Sequence, residues 1–260
     1  MNDDFALLSE NLFGFYRLVA EKTGIPSGEE AVFWIKNNAG KWPRWVVGQN
    51  FDQQSFEEEA MQVIGRIRTH ELPPYWNVVP GYGQDALGDL LKKNRFREVY
   101  TWTGMSVDTG KGWPEQKTVS GLELCEVSSE EDLESFVSVV NATLLEASPM
   151  DLSLARLLLH VDRFRMVTGR IGGKAVASSA IFLSGRGGGI YFVATLPEYR
   201  NRGIGSAVTA KCLEIARREG VATVILHASA MGEAVYRKLG FETVAGGQFH
   251  IYWLVGREYR

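Results

Sequence analysis

Residues 199–207 read Tyr-Arg-Asn-Arg-Gly-Ile-Gly-Ser-Ala, which sets Arg200 and Arg202 against Gly203 and Gly205. Beyond them Ile204, Val208, Cys212 and Ile215 recur at near-helical spacing as far as Gly220, a natural C-terminal stop. The stretch therefore opens a helix. A helix N-terminus carries unpaired N–H groups and about half a positive charge. Glycine removes the side chains that would hold a ligand off those donors, and two arginines add charge beside them. Together they form a cradle for phosphate or pyrophosphate. The same residues also suit a plain helix start with surface arginines, so the surrounding chain must decide.

Upstream, the patterning is that of antiparallel strands. Leu122 to Val127 reads as a short strand, and Ser129-Glu130-Glu131-Asp132 as a serine-capped, acidic helix start. One or two helices follow through Leu159. Arg165 to Arg170 and Ala175 to Leu183 are strands joined by a hairpin at Ile171-Gly172-Gly173-Lys174. Ile190 to Ala194 is a third strand. Downstream of the cradle come a buried strand, Val221 to His227, a short helix, Met231 to Leu239, and returning strands from Phe241. Hairpins followed by β-helix-β-helix-β predict an α+β fold, a mixed and mostly antiparallel sheet with helices on its faces.

Three cradles are compared. A P-loop needs G-x-x-x-x-G-K-[ST], and Gly173-Lys174 is followed by Ala175. A dinucleotide fingerprint needs a third glycine or alanine where Val208 stands, and an acidic residue about twenty positions on, which is missing. Arg200-x-x-Gly203-x-Gly205, placed after a strand, resembles the coenzyme A pyrophosphate loop of the GNAT superfamily of N-acetyltransferases. A second stretch, Ser229 to Phe241, is similar to that family's later signature, with Tyr236 seven residues after Ser229 and Gly240-Phe241 closing the helix. The resemblance covers roughly Leu122 to Leu254.

The first half reads as an α/β unit. Trp45-Val46-Val47 and Val99 to Val107 are strands, and Ser55 to Arg68 and Asp85 to Asn94 are helices. The segment 109–121 is rich in Gly, Pro, Lys and Thr, and 113–121 within it reads as a linker between domains 1–112 and 122–260. Leu90 to Val107 echoes Val235 to Phe241 and the strand after it, with Leu91 in the place of Tyr236. This half is either a degenerate copy of the same fold or an unrelated α/β cap.

The formal charge is −3, and residues 121–260 balance 15 basic against 15 acidic side chains. This gives no attraction to nucleic acid or anionic membrane. Four scattered histidines show no metal-ligand spacing, and two distant cysteines suit a reducing compartment. No apolar run reaches the roughly 18 residues of a membrane span, and the N-terminus is acidic where a secretory signal is basic. These features predict a soluble, cytoplasmic protein.

The resemblance implies transfer of an acetyl group from acetyl-CoA to a primary amine on a small molecule or peptide, without a metal. It places the pyrophosphate on the backbone N–H groups of Arg202, Gly203, Ile204, Gly205 and Ser206, with Arg200 and Asn201 completing the cofactor-binding loop. The pantetheine arm would lie along Val193-Ala194-Thr195, and Ser229 would either bond it or cap a helix. Tyr236 would protonate the departing sulfur; a phenol with pKa of about 10 suits that role at neutral pH. Some relatives place a glutamate base at the position of Gly189, so no carboxylate carries over. His227 then stands as the proton acceptor or as a buried, hydrogen-bonded histidine. The missing carboxylate keeps open a non-catalytic module that senses acetyl-CoA. The tryptophans of the first half read chiefly as packing.

Overall fold

A computed structural model describes residues 3–38, 40–81, 83–115 and 118–256. Met1, Asn2, Gln116 and Lys117, which carry part of the sequence reading, lie outside the described residues. The chain opens with α1 (Asp3–Thr23), which the sequence reading leaves unassigned. Its Leu8, Leu12, Phe15 and Val19 recur at three- and four-residue spacing, and all are buried. There follow β1 (Ser27–Glu29), β2 (Phe33–Lys36), β3 (Arg44–Val47), α2 (Phe56–Arg68), β4 (Tyr75–Val78), α3 (Gln84–Lys93) and β5 (Phe96–Asp108).

The second half contains β6 (Leu122–Glu126), α4 (Glu130–Thr143), α5 (Leu152–Leu159), β7 (Phe164–Ile171), β8 (Lys174–Ser184) and β9 (Gly187–Thr195). It ends with α6 (Ile204–Arg218), β10 (Thr223–Ala228), α7 (Glu233–Arg237) and β11 (Glu242–Leu254). Ser129 caps α4 by accepting from the Asp132 N–H, as its position before three acidic residues predicts.

Among the described residues all eleven strands join one sheet, in the order β1-β2-β3-β4-β11-β5-β10-β9-β8-β7-β6. Its pairs are antiparallel except β3 with β4 and β9 with β10. This is the mixed, mostly antiparallel sheet flanked by helices that the sequence predicts. The halves trace one path twice: β3-α2-β4-α3-β5, then β9-α6-β10-α7-β11. Each run is a parallel pair bridged by a helix, then a second helix and a strand of 13 residues. The two long strands are exchanged. β11 lies between β4 and β5, and β5 lies between β11 and β10, so each half's last strand completes the other's part of the sheet.

Helices α1, α4 and α5 cover one face, burying Phe15, Phe136, Phe164, Phe182 and Phe249. On the other face α2 and α3 pack Ile64, Ile67 and Leu91 on Trp76, while α6 and α7 pack Leu213 and Leu239 on Leu226. Each such side chain, fully buried, contributes about 1.5–3 kcal/mol. Phe15 ties the halves together: its ring centroid lies 4.4 Å from Tyr191 and 5.4 Å from Phe164.

Candidate active site

The site begins where two strands part. β9 and β10 pair only from Gly188–Val224 to Ile190–Leu226. Past that point Phe192 adopts φ 54°, and the register of β9 on β8 shifts. A left-handed residue other than glycine costs on the order of 1–3 kcal/mol and persists only where its surroundings hold it. Here buried Ser178 holds it, donating its hydroxyl to the Phe192 carbonyl at 2.9 Å. The bulge turns Val193, Ala194 and Thr195 away from β10, leaving that edge of β9 with no strand against it.

The chain then makes one tight turn at Pro197–Tyr199 and enters α6. Gly203 stands at the helix N-cap with φ 84°, a conformation that favours glycine. The first intrahelical bond runs from the Ala207 N–H to the Gly203 carbonyl, 3.0 Å. The N–H groups of Ile204, Gly205 and Ser206 therefore have no helical acceptor. Gly205 is informative for another reason. A Cβ there would lie 3.7 Å from Thr195 Oγ1 and 4.0 Å from Val235 Cγ1, both ordinary contacts, so packing does not demand glycine. The same distances show that the end of β9, the mouth of α6 and helix α7 meet at one point.

The arginines are pinned to the loop with exposed heads. Arg200 Nε donates to the Thr195 carbonyl at 3.1 Å, and Arg202 donates to the Glu198 carbonyl while its guanidinium lies 5.2 Å from the Tyr199 ring centroid. Asn201, between them, is exposed with φ 63°. Tyr236 is buried on α7 in the cluster that holds Cys212 and Leu213, with Val193 packed against it. Burial pushes its phenol up, so it keeps its proton throughout the neutral range. Exposed Ser229 accepts from the Gly232 N–H at 3.3 Å, in the turn that precedes α7, whose N-cap is Gly232 and which has no side-chain cap bond.

His227 lies near the end of β10, on the lip opposite Tyr191. Its Nε2 is buried without a partner among the described residues, while the backbone of Leu8 bonds the ring. That bond therefore involves Nδ1 and leaves the Nε2 lone pair available. Burial lowers its pKa to about 4, the Leu8 bond opposing, and the imidazole is neutral at pH 7.

Sequence reading missed what stands opposite Gly189. A Cβ there would lie 1.9 Å from Asn11 Oδ1. Asn11, fully buried on α1, accepts from the Tyr191 hydroxyl at 2.7 Å and donates to Ser184 Oγ at 3.3 Å. An amide brought by the first helix thus fills the place of a glutamate side chain. The apolar spacing of α1 was legible, but its docking on the far half of the sheet was not.

The model of the Acetyltransferase (GNAT) family matches residues 133–241, a span containing the bulge, the cradle and Tyr236. Residues 133–241 are a GNAT domain. Solved structures extend the likeness to nearly the whole chain. A GCN5-related N-acetyltransferase from Kribbella flavida is 16% identical, with a TM-score of 0.67, over 94% of this chain and 96% of its own. One from Sphaerobacter thermophilus is 15% identical, with a TM-score of 0.65, over 86% and 76%. A conserved protein of unknown function from Staphylococcus epidermidis is 14% identical, with a TM-score of 0.62, over 90% and 97%. At these identities the likeness is one of fold, and it includes the N-terminal half. No curated protein matches the chain in sequence. Among the described residues no helix is long and apolar enough to cross a membrane.

Proposed function

We propose that this GNAT protein is an N-acetyltransferase that moves an acetyl group from acetyl-CoA directly to a primary amine of a small molecule or peptide. The reading extends to a cytoplasmic enzyme of two units, 1–112 and 122–260, joined by 113–121. One observation carries it: the unpaired amides of α6, the free edge of β9 and the helix bearing Tyr236 meet within about 4 Å of Gly205.

When bound, acetyl-CoA supplies the thioester. The amides of residues 202–206 and the charges of Arg200 and Arg202 hold its pyrophosphate. Val193-Ala194-Thr195 bonds the pantetheine arm as an added strand would, with Ser229 at the opposite lip. An N–H of that edge facing the thioester oxygen stabilises developing negative charge by a few kcal/mol. Tyr236 delivers the proton that the departing sulfur requires.

His227 has a narrower task. Taking a proton from an alkylammonium with pKa of about 10 to an imidazole at about 4 costs about 8 kcal/mol. Its Nε2 therefore accepts a hydrogen bond from an amine that is already neutral, and takes the proton as the amide forms. The second reading, a module that binds acetyl-CoA without transfer, is favoured by Asn11 standing where a carboxylate base would reach. Calorimetry with acetyl-CoA against NAD tests the ligand class, and thiol release across a panel of amines separates enzyme from sensor.

A further inference from the structure

Among the described residues three buried polar atoms lack a partner on one face of the sheet at the junction of the halves: Trp45 Nε1, Asn77 Oδ1 and His227 Nε2. The registers put them on that face. His227 stands opposite Gly104, and Trp102, two residues before Gly104, stands opposite Phe249. Two residues further along β11, Ile251 stands opposite Asn77, which lies beside Val47, two residues after Trp45. Residues two apart share a face, as do those paired directly across a ladder.

Rings connect these atoms. Trp102 lies 6.2 Å from Trp45 and 6.4 Å from His227 between centroids, and Tyr75 lies 5.5 Å from Trp45. Trp45, Tyr75, Trp102 and His227 are each half-buried, so this cluster of rings is partly open to solvent. Asn77 is 1% exposed. Buried polar atoms are nearly always paired. Here an unpartnered donor and an unpartnered acceptor flank one tryptophan, and a second acceptor lies beyond.

We propose that the acceptor binds between these rings, and that its substrates are primary aromatic amines bearing a neutral polar group such as a carboxamide. The inference rests on the acetyltransferase reading of the adjoining slot. The ring lies over Trp102, its amine at His227 Nε2. The carboxamide carbonyl accepts from Trp45 Nε1 while its N–H donates to Asn77 Oδ1. Among the clustered residues Trp45, Tyr75, Asn77, Trp102, His227 and Phe249 there is no carboxylate, and Asn11 fills the place where one would reach. An alkylammonium would be buried without a counter-charge, which costs more than the rings return. An aromatic amine arrives uncharged. Its nitrogen lone pair forms the C–N bond as the C–S bond breaks onto sulfur. Tyr236 protonates that sulfur, His227 Nε2 receives the amine proton, and solvent restores both side chains.

Thiol release from acetyl-CoA at pH 7 tests this with 4-aminobenzamide, 4-methylaniline, 2-phenylethylamine and putrescine, alongside calorimetry of acetyl-CoA alone. The aromatic amines are expected to exceed both alkylamines in kcat/KM by about 100-fold or more. Trp45→Phe, which keeps a ring and removes the donor, is expected to raise KM for 4-aminobenzamide by about tenfold relative to 4-methylaniline. Preferred alkylamines, an equal effect of Trp45→Phe on both aromatic amines, or bound acetyl-CoA with no transfer would each overturn the acceptor assignment alone. Failure of acetyl-CoA to bind would overturn the parent reading with it.

Discussion

The two halves share a path through the sheet and differ at the point where that path opens. In the C-terminal half β9 leaves β10 and the gap stays open, with bare amides at the mouth of α6 and Tyr236 beside it. In the N-terminal half the corresponding gap, between the ends of β3 and β4, is closed by a side chain. Gln49 donates to the Val79 carbonyl at 2.8 Å and accepts from the Val79 N–H at 3.2 Å. Its amide thus makes the bonds that an incoming strand would make. Phe56, at the first turn of α2, packs against Phe51 at 5.5 Å and lies so near Gly83 that a Cβ there would be 2.4 Å away. A residual cavity of 120 Å³ remains. Buried Leu91 stands on α3 where Tyr236 stands on α7. One backbone thus serves as a binding slot or as a packed core, depending on whether its polar groups are left for a ligand or satisfied internally.

Four experiments break or sharpen this contrast. Gly203→Glu places bulk and negative charge in the open cradle and is expected to weaken acetyl-CoA binding by more than about 100-fold in calorimetry. Gln54→Glu, in the loop before α2, is expected to leave that affinity within about twofold. Tyr236→Phe is expected to lower kcat by about 100-fold or more while acetyl-CoA still binds; full activity would return Tyr236 to a packing role.

The third experiment uses the buried imidazole. His227 is held neutral at a pKa of about 4 against about 6.5 unfolded. The unfolded chain therefore binds more protons between these values. Stability is full above about pH 6.5 and falls as pH is lowered toward 4, by up to about 3 kcal/mol. Urea unfolding across that window should show the fall, and His227→Phe should flatten it. The smallest effect is at the closed gap. Gln49→Ala removes two bonds to Val79 and is expected to cost about 1–3 kcal/mol in urea unfolding. It should create no second acetyl-CoA site, because Phe51 and Phe56 remain.

Which features were legible follows from how local their causes are. The helix after Gly203, the hairpin at Gly172-Gly173 and the serine cap of α4 depend on neighbouring residues, and the sequence carries them. The echo of Val235 to Phe241 in Leu90 to Phe96 left a repeated unit and an unrelated cap both open, and the path through the sheet shows the repeat. Exchange of β5 and β11 did not show, since both are long strands whose partners lie more than a hundred residues away. The bulge at Phe192 depends on Ser178 from the neighbouring strand. The substitution of Asn11 for a carboxylate needed a glycine at 189 and a helix 178 residues earlier, and only the folded sheet brings them together. The tryptophans read chiefly as packing in the sequence; in the structure the half-buried Trp102 ring lies 6.2 Å from Trp45 and 6.4 Å from His227.

The most direct measurement is the stoichiometry of acetyl-CoA binding to the intact chain by titration calorimetry. One molecule per chain is expected, displaced by coenzyme A and lost in Gly203→Glu. Two molecules per chain, or one that survives Gly203→Glu unchanged, would contradict the contrast between an open half and a closed one.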